Sequence, residues 1–367
     1  MNKIIVFLAI LFVDCGSLLA QGKDTTYYDE EKTLVKEIFF SEDSLPQGQY
    51  ERYDEEGVLA ESGAFESGKR EGLFISFFPN TKDTLRKVNY VEGIKTGQAV
   101  TFFENGNISQ EVSYENGLFQ GEMKMFYENG QIKTLSTFLD NLPHGNRLSY
   151  FEDGEIMESA HYLLGNLEGE NKKYHPNGDI QTLSYYKDGK LEGKAISYFP
   201  GGQVSSEITY KDGIKHGPFI NYFENGELES KGNYRRGHPH GEFFTYHPNG
   251  QVASSTVFRK SRIRGESVNF YPSGEKAQLV SYDKYGDPIM DQEYFEDGSL
   301  KKTTPYLQGK EDGESIYYHS NGNVKEIFPF QNGKLNGKYQ RFNESGELVL
   351  EKSFENGKEL GQEKISK

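Results

Sequence analysis

Tryptophan is absent from this chain of 367 residues, and cysteine occurs once, at Cys15. A single cysteine near the start leaves no thiol pair for a disulfide and no thiolate set for zinc. Basic residues are in deficit: 41 Lys and Arg stand against 56 Asp and Glu, a net charge of −15. The cations are also scattered, with no Lys/Arg face. Phosphate neutralisation, the main sequence-independent term in nucleic-acid binding, therefore has no footing, and anionic membrane surfaces are disfavoured for the same reason. No Gly-x-Ser-x-Gly, His-Glu-x-x-His or phosphate-loop spacing occurs, and the carboxylates sit at repeating turn positions instead of forming an unrepeated constellation. The expectation is a non-enzymatic chain with no cofactor.

What the chain does have is 25 Tyr, 26 Phe and 41 Gly. Disordered segments are poor in aromatics, so the low apolar content does not signal disorder. Aromatics with evenly spaced turn residues read as all-β. The first 20 residues stand apart. Lys3 precedes an apolar stretch from Ile4 to Val13, too short to span a bilayer as a helix, and Ala20 supplies a small residue before Gln21. This predicts a signal peptide over 1–20, and export to the periplasm, cell surface or medium. A lipoprotein is the alternative, but Asp14 stands before Cys15 where lipid attachment wants a small residue. Ordinary cleavage removes Cys15 and leaves the mature protein without cysteine.

A glycine recurs every 24 residues. Gly97, Gly121, Gly145, Gly169, Gly193, Gly217, Gly241 and Gly265 are evenly spaced, and after a lapse at Ile289 the series resumes at Gly313, Gly337 and Gly361. Backwards, Gly72 is off by one residue and Gly48 lies 24 before it. With each unit numbered from its leading glycine as zero, position 5 is aromatic throughout, from Tyr53 to Phe342. Position 17 is aromatic too, as in Tyr114 and Phe138, and position 11 is aliphatic in nearly all units, with Lys276 the clear exception. A short fixed period means an array in which each unit contacts mainly its neighbours.

Between positions 5 and 11 lies a turn such as Glu104-Asn105-Gly106. Asn-Gly alone suggests a two-residue hairpin. Pro79, Pro176, Pro200, Pro248 and Pro272, all at position 7, argue for a three-residue loop: proline presets the second residue of a type I turn and glycine supplies the left-handed residue that follows. Position 5 then pairs opposite position 11. Counting by twos from 11 brings 17 to the same face, so all three apolar columns are expected together. Strands fall near positions 1–6 and 10–17, joined by a linker x-x-Gly-x-x-x-Gly. The fold class is an all-β, elongated array of about 13 antiparallel β-hairpins in an open twisted meander sheet. At ~10 Å of advance per repeat it would run roughly 120–130 Å before twist.

Residues 21–47 read as a degenerate N-terminal capping repeat, with Tyr28, Leu34 and Phe40 keeping the 5, 11, 17 spacing. The array covers 48–361, and 362–367 form a tail. The stretch 283–291 loses the linker pattern and is the expected kink or joint.

The unit resembles the MORN repeat variant, a relative of the membrane occupation and recognition nexus repeat. The resemblance rests on Gly217-Pro218-Phe219-Ile220-Asn221-Tyr222-Phe223-Glu224-Asn225-Gly226 and its counterparts, followed by the aliphatic, the aromatic and the Gly-x-x-x-Gly linker. It implies a hairpin array acting as a scaffold or recognition surface; bacterial members are often labelled as antitoxin components.

Position 6 carries a second aromatic column: Phe103, Tyr127, Phe151, His175, Phe199, Phe223, His247, Tyr271 and Phe295, with Phe78 and His319 in the same place. Such a row suits sugar rings or a partner's apolar side chains. The competing reading is that it packs against its own neighbours, as cross-strand ladders do. His216, His238 and His240 cluster in sequence with Lys215, Arg235 and Arg236; no carboxylate or cysteine completes a zinc set, and solvated linker residues are the simpler reading. Three functions follow as expectations: an exported scaffold for a protein partner, an envelope glycan binder using position 6, and an antitoxin or immunity-type protein.

Overall fold

The computed structural model describes residues 22–363. The expected signal peptide, with Cys15 and the Ala20–Gln21 junction, lies outside the described residues, as do 364–367 of the tail. Every described element of regular structure is a β-strand. By internal contacts the chain divides into two units, Met1–Leu142 and Pro143–Lys367. Within each unit strands pair antiparallel with their sequence neighbours, as Lys69–Phe77 does with Thr84–Val91 and Ile214–Tyr222 with Leu228–Arg235. The sheet is open: Gly22–Tyr27 and Lys358–Glu363 each have a strand partner on one side alone among the described residues.

Two kinds of turn alternate along the chain. The Phe103 N–H donates to the Asn107 carbonyl at 2.8 Å, the Gly106 N–H donates to the Phe103 carbonyl at 2.9 Å, and Gly106 has φ +85°. That is the three-residue loop expected from proline at position 7, and Phe102 lies opposite Ile108 as that loop requires. The second turn replaces what reads in the sequence as a linker. Asn116 and Gly117 have φ of 51° and 82°, the two left-handed residues of a type I′ turn, so the chain passes directly from Ile108–Glu115 into Leu118–Phe126. The next leading glycine, Gly121 with φ +79°, then lies inside a strand. Val112 pairs with Met123 and Tyr114 with Phe119, so the residues around Gly121 bulge out opposite Ser113. In units such as the one with Leu118–Phe126 the expected strand at 1–6 extends back through the leading glycine, the strand expected at 10–17 runs over 11–18, as in Ile132–Leu139, and the expected linker is a turn plus a bulge.

The expectation that positions 5, 11 and 17 share a face is overturned. Phe102 pairs with Ile108, yet the preceding Thr101 pairs with Gln110, leaving Ser109 as an extra residue. One inserted residue turns every later side chain over. Tyr114 consequently faces Gly97, on the side of Ala99 and away from Phe102. The same shift recurs in the other hairpins, for instance between Lys173 and Tyr174 and between Asn221 and Tyr222.

The better-buried face is therefore built from positions 2, 15 and 17. Val88, Ala99, Val112 and Tyr114 form its buried cluster in the first unit, with Tyr90, Phe119 and Met123 packed against it. Ala160, Asn171, Ser184, Thr304 and Ser315 occupy buried places in the same rows of the second unit. The rows fit by size. Phe219 and Phe243 stand 5.3 Å apart across Gly232, and a Cβ on Gly232 would come within 2.7 Å of the Phe219 ring and 2.8 Å of Phe243. Gly63 plays the same part beside Phe74, with 2.6 Å to that ring. Arg70 clamps this cluster from the side: its guanidinium lies 4.3 Å from the Phe74 ring centroid and reaches the buried Glu61 carboxylate at 2.9 Å. Burial opposes the Arg70 charge, but the Glu61 carboxylate outweighs it and the guanidinium pKa rises.

The N-terminal segment forms a hairpin of the same kind in a different register from the expected one. Tyr27 pairs with Val35, and Gly22 with Ser41, so these residues hold positions 5, 11, 0 and 17 in place of the Tyr28, Leu34, Phe40 series. The loop is longer. Asp29 fills it by accepting the Thr33 N–H at 2.9 Å, the Leu34 N–H at 2.7 Å and the Thr33 hydroxyl at 2.6 Å, which holds its carboxyl down at about 2. Around Ile289 the sheet does not lapse. Pro288–Tyr294 pairs with Lys276–Tyr282 on one side and Leu300–Leu307 on the other. What changes is the turn: Asp283 N–H to Asp287 carbonyl at 2.9 Å and Gly286 φ +92° make a three-residue loop where other units use two residues.

Candidate functional site

All nine aromatic and histidine side chains singled out at position 6 are half-buried: Phe103, Tyr127, Phe151, His175, Phe199, Phe223, His247, Tyr271 and Phe295. In His175, His247 and Tyr271 the polar atom of the ring reaches the carbonyl at position 5 of the following hairpin. His175 Nε2 lies 3.2 Å from the Tyr198 carbonyl, His247 Nε2 2.9 Å from that of Phe270, and the Tyr271 hydroxyl donates to Tyr294 at 2.8 Å. A carbonyl only accepts, so these imidazoles carry their proton on Nε2. His319 and Tyr28 make the same contact, to Phe342 at 3.2 Å and to Tyr53 at 2.9 Å. The column stitches one three-residue loop to the next.

The histidines of the basic segment have separate local tasks. In most units the residue before the leading glycine caps the type I′ turn of the next hairpin. Glu71 accepts the Glu92 N–H at 2.8 Å, Glu192 that of Asp212 at 2.8 Å and Asp312 that of Asn332 at 2.9 Å. His216 stands in this column, and its Nδ1 accepts the Arg236 N–H at 3.4 Å. His144 does the same for Leu164 at 3.5 Å. His238 Nδ1 bonds the Ser261 hydroxyl at 2.7 Å. Sequence reasoning missed this capping column because Glu, Gln, Asp, Asn and His alternate in it, and only their shared acceptor atom unites them.

In each of the two units the type I′ turns carry an exposed surface. In the first unit the surface is aliphatic: Val91, Ile94, Leu118 and Leu142 are 53%, 50%, 37% and 45% exposed. They belong to consecutive turns, and Ile94 lies 3.5 Å from where a Cβ on Gly117 would stand. In the second unit it is basic. Arg235, Arg236, His238, Pro239, His240, Arg259, Lys260 and Ser261 line an open groove of about 550 Å³. A neighbouring hollow holds Lys211, Asp212, Ile214, His216 and Arg236.

No curated protein matches the chain. Among solved structures it is similar to "Crystal Structure of TcdB2-TccC3", at 12% identity and a TM-score of 0.15, over 90% of this chain and 20% of that one. It is likewise similar to "Crystal Structure of TcdB2-TccC3 without hypervariable C-terminal region", at 11% identity and a TM-score of 0.16, over 88% of this chain and 24% of that one. The chain thus spans a quarter or less of either. The family model described as "MORN repeat variant" matches nine stretches: residues 95–116, 119–140, 143–163, 167–188, 191–212, 215–236, 239–260, 311–332 and 335–356. Each stretch begins in the strand leading to a unit's glycine and closes near the type I′ turn, so the matched unit is one three-residue-loop hairpin. Together they cover more than half of the residues, and the chain belongs to the MORN repeat variant family.

Proposed function

We propose that the chain is an exported, non-enzymatic repeat scaffold that holds a protein partner along the edge of its sheet. The observation carrying this reading is the aliphatic row Val91, Ile94, Leu118 and Leu142, about half exposed on successive turns. Contiguous exposed apolar surface at regular spacing is costly in water and suits the apolar side chains of another protein. Sugar recognition relies on open aromatic faces, and the position-6 rings are half-buried against the next loop. The aliphatic edge therefore supports a protein partner over a glycan.

The test uses the mature chain as bait in extracts of the cell envelope, beside an Ile94→Asp/Leu118→Asp variant. Both sites are exposed, so folding is expected to survive, checked by thermal unfolding. The expected outcome is a partner held by the wild type and lost by the variant. Equal retention by both, or no partner for the wild type, overturns the reading. A Phe199→Ser/Phe223→Ser/Phe295→Ser variant is expected to leave glycan-column behaviour unchanged. For export, the expected N-terminus of the envelope-associated protein is Gln21; an intact Met1 in the cytoplasm contradicts it.

A further inference from the structure

The basic groove of the second unit is out of character with a chain of net charge −15. The two turns that precede it set a cation beside an acid: Lys187 precedes Asp188 and Lys211 precedes Asp212. The turns at Arg235-Arg236 and Arg259-Lys260 carry two cations each and no carboxylate. Among the described residues none of these four side chains has an ion pair, whereas cations such as Arg70, Lys194 and Lys338 do. Cations gathered side by side without counter-charge repel one another, and an anion that bridges them relieves that repulsion. Arginine's planar fork suits a carboxylate in two-point contact.

The local backbone shows a second departure. Most type I′ turns of the array place glycine at the second residue, but here Ser261 takes φ of 63°, as Ser44 at 64° and Asn141 at 69° do in two other turns. Glycine adopts left-handed φ without strain and serine does not. The Ser261 hydroxyl bonds His238 Nδ1 at 2.7 Å, tying this turn to the one before and fixing the groove's wall.

We infer that this groove binds a short acidic segment of the partner protein. The inference rests on the proposed scaffold function and names the chemistry of part of the partner. Length follows from the boundaries. Asp212 on the preceding turn and Asp283 on the following loop enclose the basic stretch, which spans two hairpins, or roughly 20 Å. An extended peptide of about six residues covers that distance. A long polyanion would run on into turns that carry carboxylates, Asp212 on one side and Asp283 and Asp287 on the other. Composition follows from the lining: Pro239 lies in the groove, and Ile214, 51% exposed, packs beneath the Gly237 turn. Apolar surface beside the guanidinium groups is used by a peptide that mixes acidic and aliphatic residues, and is wasted on inorganic phosphate. The backbone N–H groups of Arg236 and Gly237 are already committed to His216 and to the Lys215 carbonyl, so recognition falls to the side chains.

The probe is an acetylated, amidated Asp-Glu-Leu-Asp-Glu peptide, titrated calorimetrically into the mature full-length chain at low salt. Saturable binding is expected, weakening as salt is raised and falling about tenfold or more in an Arg235→Gln/Arg259→Gln variant. A Lys334→Gln/Lys358→Gln variant, altered on later turns, is expected to bind like the wild type. Equal binding by wild type and the Arg235→Gln/Arg259→Gln variant, or tighter binding of inorganic tripolyphosphate than of the peptide, overturns the inference. Its failure is separable from failure of the scaffold reading. A partner captured by a chain that ignores the peptide removes the groove alone; groove-dependent peptide binding by a chain that captures no protein removes the scaffold reading alone.

Discussion

Gly232 shows how little of this core is written in apolar residues. Its place between Phe219 and Phe243 leaves no room for a methyl group, with both rings under 3 Å from a Cβ. Gly232→Ala is expected to destabilise the second unit by about 1–3 kcal/mol, read as a lowered denaturant midpoint. Thr304 and Ser315 lie at the other extreme: they are 0% and 2% exposed, and their hydroxyls have no hydrogen-bond partner among the described residues. An unsatisfied buried hydroxyl costs about 1–3 kcal/mol, so Thr304→Val is expected to raise the midpoint. Tyr50 contributes an alkaline pH dependence to the first unit. Burial, aided by the Glu37 carboxylate that accepts its hydroxyl at 3.1 Å, pushes its pKa up to about 12. The unfolded phenol ionises near 10 while the folded one stays neutral, so this contribution is complete below pH 10 and is lost as pH rises towards 12. Tyr50→Phe, which cannot ionise, is expected to flatten the loss of stability over that range.

At the scale of strands and turns, the sequence was legible wherever the backbone demands a particular residue. Proline and glycine at the three-residue loop reported its length and the pairing of Phe102 with Ile108. The second bulge left no such mark. Ser109 sits at a position that elsewhere holds Lys133, Met157, Gln181 or Ala253. Its φ is not left-handed, so any residue serves. The invisible bulge is why position 17 was expected beside position 5 and is found beside positions 2 and 15. Those rows were hard to see for a related reason: Ala99, Asn171, Ser184 and Thr304 are buried by fit with larger neighbours, and carry no hydrophobic signal of their own. The turn caps were hidden by their variety. Glu192→Ala, which removes the acceptor of the Asp212 N–H at 2.8 Å, is expected to speed exchange of that amide several-fold, in line with about 1 kcal/mol for a hydrogen bond. Unchanged exchange would show that the cap is idle.

On the scale of the whole molecule, the repeat made the family legible early, since nine of its copies match one model. Surface character was far less legible. Leucine and isoleucine beside the turns carry no sequence signal of exposure; the structure places Ile94 and Leu118 on consecutive, exposed turns. The basic cluster was visible as composition, but not as a groove shared by Arg236, His238 and Arg259. Stability in such an array is a sum of local terms, so surface changes in one unit leave distant hairpins folded. That separability allows the two surfaces to be tested independently. The central claim is that the aliphatic turn edge holds a protein. Its most direct test is hydrogen–deuterium exchange of the mature chain with and without the captured partner. The account predicts slowed exchange in the turns around residues 91–94 and 115–118, with the position-6 loops unchanged. Protection confined to the loops around Phe103 and Phe223, or none in the turn row, would contradict it.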